Sequence, residues 1–181
     1  SWMPSNYSSM LRSFGEENGG KMEINELAKG LPDDLVKFDF ILFDACSMGG
    51  IECVYELKDK ADYIVASPSE VLRAGFPYNQ ILSYLFTNTA DLKEVARLFY
   101  SYYQNTSSPY ANVSVTKTSE LDQLAQITRE IILSVGIEGV YALPLLDIQT
   151  LSNFAGSPTI LYDFDDVISH LATEEQYSRF Q

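Results

Sequence analysis

Asp44 and Cys46 are the residues of this chain best suited to do chemistry, and they stand two positions apart in the stretch Phe-Asp-Phe-Ile-Leu-Phe-Asp-Ala-Cys-Ser-Met-Gly-Gly, residues 38–50. A cysteine thiolate is a nucleophile that can form a covalent intermediate at a carbonyl carbon. A carboxylate beside a thiol disfavours the thiolate, so Asp44 is a poor activator of Cys46. Asp44 serves better as an anchor for a cation lying next to the sulfur. A thiol with an acidic pocket at its side points to attack next to an Arg or Lys side chain. Plainer readings stay open at this level. Free cysteine is commonly a small core residue, and Asp44 could cap the turn that follows it.

The elements that must position this pair are legible around it. Phe38, Phe40, Ile41, Leu42 and Phe43 form a nearly continuous apolar run, which suits a strand buried on both faces of a parallel sheet. Ser47-Met48-Gly49-Gly50 makes a tight turn, and Ile51, Val54, Tyr55 and Leu57 mark the apolar side of a helix. Cys46 is thus expected where a strand's carboxyl end meets a helix amino end, the edge at which open α/β sheets hold ligands. Amides at the helix start are expected to favour the thiolate. Alternation along a strand is expected to send Asp44 and Cys46 to the same side.

The motif Asp44-Ala45-Cys46-Ser47-Met48-Gly49, with Glu52-Cys53-Val54-Tyr55-Glu56-Leu57 after it, resembles the nucleophile motif of the clostripain-like cysteine peptidases. Ala61–Glu70 (Ala-Asp-Tyr-Ile-Val-Ala-Ser-Pro-Ser-Glu), Gly75-Phe76-Pro77-Tyr78 and Met22–Ala28 (Met-Glu-Ile-Asn-Glu-Leu-Ala) are similar to that family as well. The likeness covers most of residues 1–90 and continues more weakly to the end. It implies an α/β chain with a caspase-like three-layer α/β/α sandwich and a mostly parallel central sheet, incomplete in this chain. It also implies a Cys-His dyad cleaving after Arg or Lys, with Cys46 as nucleophile and Asp44 as the floor of the basic pocket. Ser67 and Glu70 would lie near that pocket as substrate-binding residues. Backbone amides near Cys46 would stabilise the oxyanion. The family's histidine lies in a His-Gly motif before a Trp. Ser1-Trp2-Met3-Pro4 looks like the tail of that motif, which places the base on a segment upstream of Ser1. The expectation is that this chain alone is inactive. The alternative is a non-catalytic binding or regulatory domain that keeps the acidic pocket without the dyad.

Composition narrows the classes. A chain of 181 residues, 46% of them hydrophobic, can bury the core of one domain and is not generally disordered. The net charge of −13 argues against nucleic acid, which needs clustered Lys and Arg, and agrees with basic substrates. No apolar run approaches the ~20 residues of a membrane span. Cys46 and Cys53 alone make neither a zinc site nor a disulfide framework. No cofactor is expected for the chemistry and no metal site is assigned. Calcium stays open through the acidic cluster Asp163, Asp165 and Asp166, although the spacing lacks a calcium-loop pattern and suits a helix amino end. The resemblance implies a secreted or cell-surface bacterial protein.

The rest of the chain reads as one domain, 1–181, with an exposed polar loop over 1–21 and the cysteine-bearing α/β portion over 22–181. Arg12, with Lys21 second, is the expected self-cleavage site, because the family is processed after a basic residue between His and Cys. A strand is expected at Lys21–Ile24 and a helix over Asn25–Leu31. A second parallel strand follows at Asp62–Ala66, then a pocket-wall loop over 67–77, leaving the sheet at the edge that carries Cys46. Helices are expected over Tyr78–Thr87 and Leu92–Gln104, and a strand over Asn112–Thr116. A long helix should begin on an acidic cap at Ser119–Asp122 and end at Gly136. Asp147–Phe154 reads as a short helix and Thr159–Ala172 as an amphipathic one. His170, the sole histidine, must be tested as a base, but a lone helical histidine is usually a packing or surface residue.

Overall fold

The structure is a computed structural model and describes residues 13–17, 20–31, 37–106, 111–151 and 161–181. It divides into two compact units, Ser1–Thr118 and Ser119–Gln181. The first opens with an antiparallel hairpin of β1 (Ser13–Glu17) and β2 (Gly20–Glu23). Residues 13–17, expected within a polar loop, are therefore strand. The helix α1 (Ile24–Gly30) follows, and the Lys60 ammonium donates to the carbonyl of its capping residue Leu31 at 2.9 Å. A cation suits that end of a helix, where carbonyls lack partners.

The strand β3 (Phe38–Leu42), the helix α2 (Ile51–Glu56) and the strand β4 (Ala61–Ala66) form the expected strand–helix–strand unit, and β3 pairs with β4 in parallel. After α3 (Tyr78–Leu85) and α4 (Leu92–Gln104), the strand β5 (Ser114–Lys117) returns antiparallel to β4, giving the order β3-β4-β5. An antiparallel edge strand on an otherwise parallel sheet is common in α/β folds.

One face of this sheet carries Phe40, Leu42, Val65 and Val115 against Phe76, Ile81, Leu92, Val95, Phe99 and Tyr103. The buried residues of α4 fall at 92, 95, 99 and 103, a single helical stripe, and the Asp91 carboxylate caps the helix by accepting from the Glu94 amide at 3.0 Å. Each apolar side chain buried in this way contributes ~1.5–3 kcal/mol. By alternation the opposite face carries Ile41, Phe43, Ile64 and Ala66, the last three buried. The connecting helix α2 contributes buried Cys53 and Val54, and Leu57 follows them inside.

The second unit is helical. A 3-10 turn, Thr118–Glu120, leads into α5 (Leu121–Tyr141), which carries no side-chain cap, contrary to the expected acidic N-cap. Gly136 breaks the helical run, as expected, although a second helical stretch follows it within α5. At φ +66 and ψ 177 this glycine kinks the helix, which then resumes to Tyr141. Residues 147–151 are not helical, unlike the expected Asp147–Phe154 helix, whose remaining residues lie outside the described ones. The amphipathic stretch begins later than expected, as α6 (Phe164–Leu171), because Leu161 and Tyr162 are extended and Tyr162 bridges Thr150. A further helix, α7 (Glu174–Phe180), closes the unit. Ile127, Ile131 and Ile168 form its core, covered by Phe164, Leu171, Tyr177 and Phe180.

Candidate active site at the end of β3

The ladder between β3 and β4 runs one residue past β3, with the Phe43 amide donating to Val65 O at 2.9 Å. The pleat then stops. Residues 45–49 form a turn, and α2 begins only at Ile51. Two expectations change here. Strand alternation does not govern Asp44 and Cys46, since both lie beyond the strand. Cys46 also does not sit on a helix amino end, since α2 starts five residues later and a helix dipole fades within a turn.

What holds the pair is the loop 67–77, after β4. The Ser47 amide donates to Ser69 O and the Gly49 amide to Ser67 O, both at 2.8 Å. These two amides are thereby committed and are not oxyanion donors. Ser47 takes φ +61, an uncommon value for a residue with a side chain. Gly49 is required by close approach, because a Cβ there would lie 2.7 Å from Pro68 N and 2.8 Å from Ala66 O. The far side of the loop is braced in turn. Ser69 N donates to Ser67 Oγ at 3.2 Å, and Asn112 Nδ2 donates to Ser69 Oγ at 2.9 Å.

The loop then meets both functional groups. The Val71 amide donates to Cys46 Sγ at 3.3 Å, and the sulfur lies 3.6 Å from Val71 O, so one residue's backbone fixes where the sulfur points. Four residues on, Gly75 backs directly onto the Asp44 carboxylate, and Tyr78 donates its hydroxyl to Asp44 Oδ2 at 3.0 Å. Burial first, then the hydrogen bond and the charge of Asp44, push the Tyr78 phenol up to about 12. Cys46 is half-buried, Asp44 exposed.

Of the other residues singled out from sequence, Ser67 is fully buried and its hydroxyl donates to Ser69 O at 3.2 Å, so it shapes the loop from within. Glu70 is half-buried between Ser69, which clasps Ser47, and Val71, which touches the sulfur. Arg12 lies outside the described residues, and Lys21 lies in β2. His170 is on α6, its Nδ1 2.8 Å from the Asp166 carbonyl one turn earlier. Each member of the acidic cluster accepts from a protein donor. Asp163 caps α6 by accepting from the Asp166 amide, Asp166 Oδ2 accepts from Gln149 N at 2.6 Å, and Asp165 accepts from the Tyr177 hydroxyl at 3.0 Å. Among the described residues no group of three or more His, Cys, Asp or Glu is placed to hold a metal ion. Nor is any helix there long and apolar enough to cross a membrane.

Sequence reasoning did not single out Val71, Gly75, Tyr78 or Asn112 as parts of the site. Gly75 and Tyr78 lie in a stretch that resembled the family, and a glycine just ahead of Phe-Pro-Tyr is a turn signal. Nothing local to 75–78, however, indicates that it closes on residue 44.

One loop thus holds a half-buried thiol and an exposed carboxylate together on a strand-to-helix turn, a nucleophile beside an acid. The chain belongs to the clostripain family, peptidase C11, whose model matches residues 1–173. It is similar to an inactive zymogen C11 protease from Parabacteroides distasonis, at 43% identity over 88% of this chain and 44% of that one, with a TM-score of 0.75. It is similar to a clostripain from Bacteroides thetaiotaomicron solved with the peptide inhibitor BTN-VLTK-AOMK, at 36% identity over 92% of this chain and 72% of that one, TM-score 0.80. A secreted C11 cysteine protease of the same organism, iotapain, matches at 37% identity over 96% of this chain and 49% of that one, TM-score 0.81. The chain thus spans about half the length of two of these relatives. A search of curated proteins returned no match. The mixed α/β architecture with its three-stranded sheet matches these C11 structures.

Proposed function

We propose that the protein is a cysteine endopeptidase that cleaves after Arg or Lys, with Cys46 as nucleophile and Asp44 as the acid that receives the basic side chain. The observation that carries this reading is the double contact of loop 67–77, which touches the Cys46 sulfur through Val71 and the Asp44 carboxylate through Gly75. A substrate anchored on one group is thereby presented to the other. The inhibitor bound to the Bacteroides thetaiotaomicron clostripain ends its peptide part on Lys, which favours a basic residue at this point.

In the proposed reaction the substrate's guanidinium or ammonium pairs with Asp44. The Cys46 thiolate bonds to the adjacent carbonyl carbon, and the C=O electron pair moves onto oxygen. Collapse of that adduct breaks the C–N bond as the amine takes a proton from a histidine. Water then hydrolyses the thioester and frees Cys46. The resemblance places that histidine on a segment upstream of Ser1, and residues 1–181 alone are proposed to be inactive until it is supplied. Glu70 would add a second acid beside the pocket. The proposed processing site is Arg12, just ahead of β1, with Lys21, inside β2, second, and the mature protein would be exported or held at the cell surface, as its iotapain relative is secreted.

Turnover of fluorogenic peptides by the full-length protein tests the reading. Asp44→Asn is expected to lower kcat/KM for Arg and Lys peptides by about 10- to 100-fold, while leaving peptides with neutral residues at that position nearly unchanged. Retention of the basic preference in that variant would assign the pocket to another acid. Amino-terminal sequencing of the protein before and after activation checks the cleavage site.

A further inference from the structure

Asp44 lies beyond the end of β3, so the sheet's pleat does not aim its exposed side chain. An acid that recognises a cation gains from being held still beforehand, because its ordering is then not charged against binding. Three features of the corner Gly75-Phe76-Pro77-Tyr78 hold it. Gly75, at φ +68, leaves room for the carboxylate against its backbone, where a Cβ would collide with Oδ2 and lie 2.9 Å from Oδ1. Tyr78 donates to Oδ2 at 3.0 Å. The corner itself is pinned from below: Phe76 is buried with its ring 4.2 Å from that of Phe99, and the buried Tyr103 hydroxyl donates to Gly75 O at 2.6 Å.

We propose that Tyr78 is a positioning residue that sets how strongly the enzyme selects a basic side chain, by holding the Asp44 carboxylate in one orientation through Oδ2 and leaving its remaining acceptor sites to the substrate. The proposal rests on the reading of Asp44 given above and adds to it. The residue type matters. A Lys or Arg in this place would neutralise Asp44 and compete with the substrate cation. A phenol orients the carboxylate and leaves its charge intact. A phenol is protonated, and so a donor, at neutral pH in any case, and the raised Tyr78 pKa extends this into the alkaline range.

The experiment compares two peptides that differ only by Arg or its neutral isostere citrulline ahead of the scissile bond, assayed with the full-length protein. In Tyr78→Phe the ratio of kcat/KM for Arg over citrulline is expected to fall by about tenfold, the size of a lost hydrogen bond to a charged group at a partly exposed site. The loss should lie mainly in KM for the Arg peptide. Citrulline turnover and the rate of Cys46 alkylation by iodoacetamide should stay at wild-type values, and the unfolding midpoint should fall by no more than one partly exposed hydrogen bond accounts for. In an Asp44→Asn background, Tyr78→Phe should change nothing further. If Asp44→Asn removes the discrimination but Tyr78→Phe leaves it whole, the positioning role is overturned and the reading of Asp44 stands. A Tyr78→Phe effect that persists in the Asp44→Asn background also overturns it. If Asp44→Asn itself keeps the wild-type ratio, the reading of Asp44 falls and this proposal falls with it.

Discussion

Cys46 and Cys53 stand seven residues apart, yet the structure puts them in opposite circumstances. Cys53 lies inside α2 and has no exposed surface, its sulfur 3.9 Å from Ser47 O. Cys46 lies on the turn before that helix, half-buried, with the Val71 amide directed at its sulfur at 3.3 Å. One sulfur is sealed within its own helix; the other is held by the backbone of a distant loop at a partly open surface. The difference comes from the backbone. A regular helix leaves a thiol only the neighbours its face dictates. A turn clasped to a loop from elsewhere in the chain can hold a thiol in place and keep it reachable.

The largest test of this contrast exchanges the two sulfurs for hydrogen. Cys46→Ala is expected to lower kcat/KM by at least about 10³-fold with little change in stability. Cys53→Ala should retain turnover and lose about 1–2 kcal/mol of stability from the void it leaves, measured by urea unfolding. Silence in Cys53→Ala, with turnover intact in Cys46→Ala, would reverse the assignment.

A second test compares two glycines. Gly49→Ala must push a methyl into the backbone at Ala66 and Pro68 and should cost about 2–3 kcal/mol, with faster proteolysis in loop 67–77. Gly30→Ala, at the end of α1 with nothing within 4 Å of its added Cβ, should instead be neutral or stabilise by up to about 1 kcal/mol. Equal effects at both sites would mean that the clasp of turn on loop is not tight.

A smaller effect is expected from Asn112→Ala, which frees Ser69 Oγ on the far side of the loop. It should cost about 1 kcal/mol and speed alkylation of Cys46 as the loop loosens. The smallest concerns pH. The folded state holds the Tyr78 proton more tightly than the unfolded state, at about 12 against 10.0. Its contribution to stability is therefore fully present below about pH 10 and is lost as pH rises through about 12. Phenolate absorbance during alkaline titration should lose its late-titrating component in Tyr78→Phe, and the alkaline loss of stability should be shallower in that variant.

The same contrast between local and distant control explains what could be read from the residues alone. The strands β3 and β4 and the helices α3 and α4 were legible because their apolar spacing is a local property, and α4 carries its own cap in Asp91. Cys46 and Asp44 were legible as a motif. The crossover rule also brought loop 67–77 to their edge, but did not say which of its residues meet them, because the contacts of Val71, Gly75 and Tyr78 depend on how the loop folds back. The expected strand alternation and helix-end activation failed for one reason: residues 43–50 leave regular structure before the site begins. In the second unit, the break at Gly136 was legible because φ +66 with ψ 177 suits a residue without a side chain; the second helical stretch beyond it was not. The helix α7 was overlooked although Thr173-Glu174-Glu175-Gln176 spells a capping box, whose two reciprocal hydrogen bonds are both formed.

The clasp has a consequence for when the sulfur is fixed in place. Ser67, Ser69 and Val71, whose backbones hold the turn around Cys46, all follow it in the chain. A ribosome therefore delivers the thiol first and its holder afterwards, and the holder takes its place only when β4 has docked beside β3. Until then the Ser47 and Gly49 amides lack the carbonyls that the folded turn gives them, so the turn takes its final shape late in the order of synthesis.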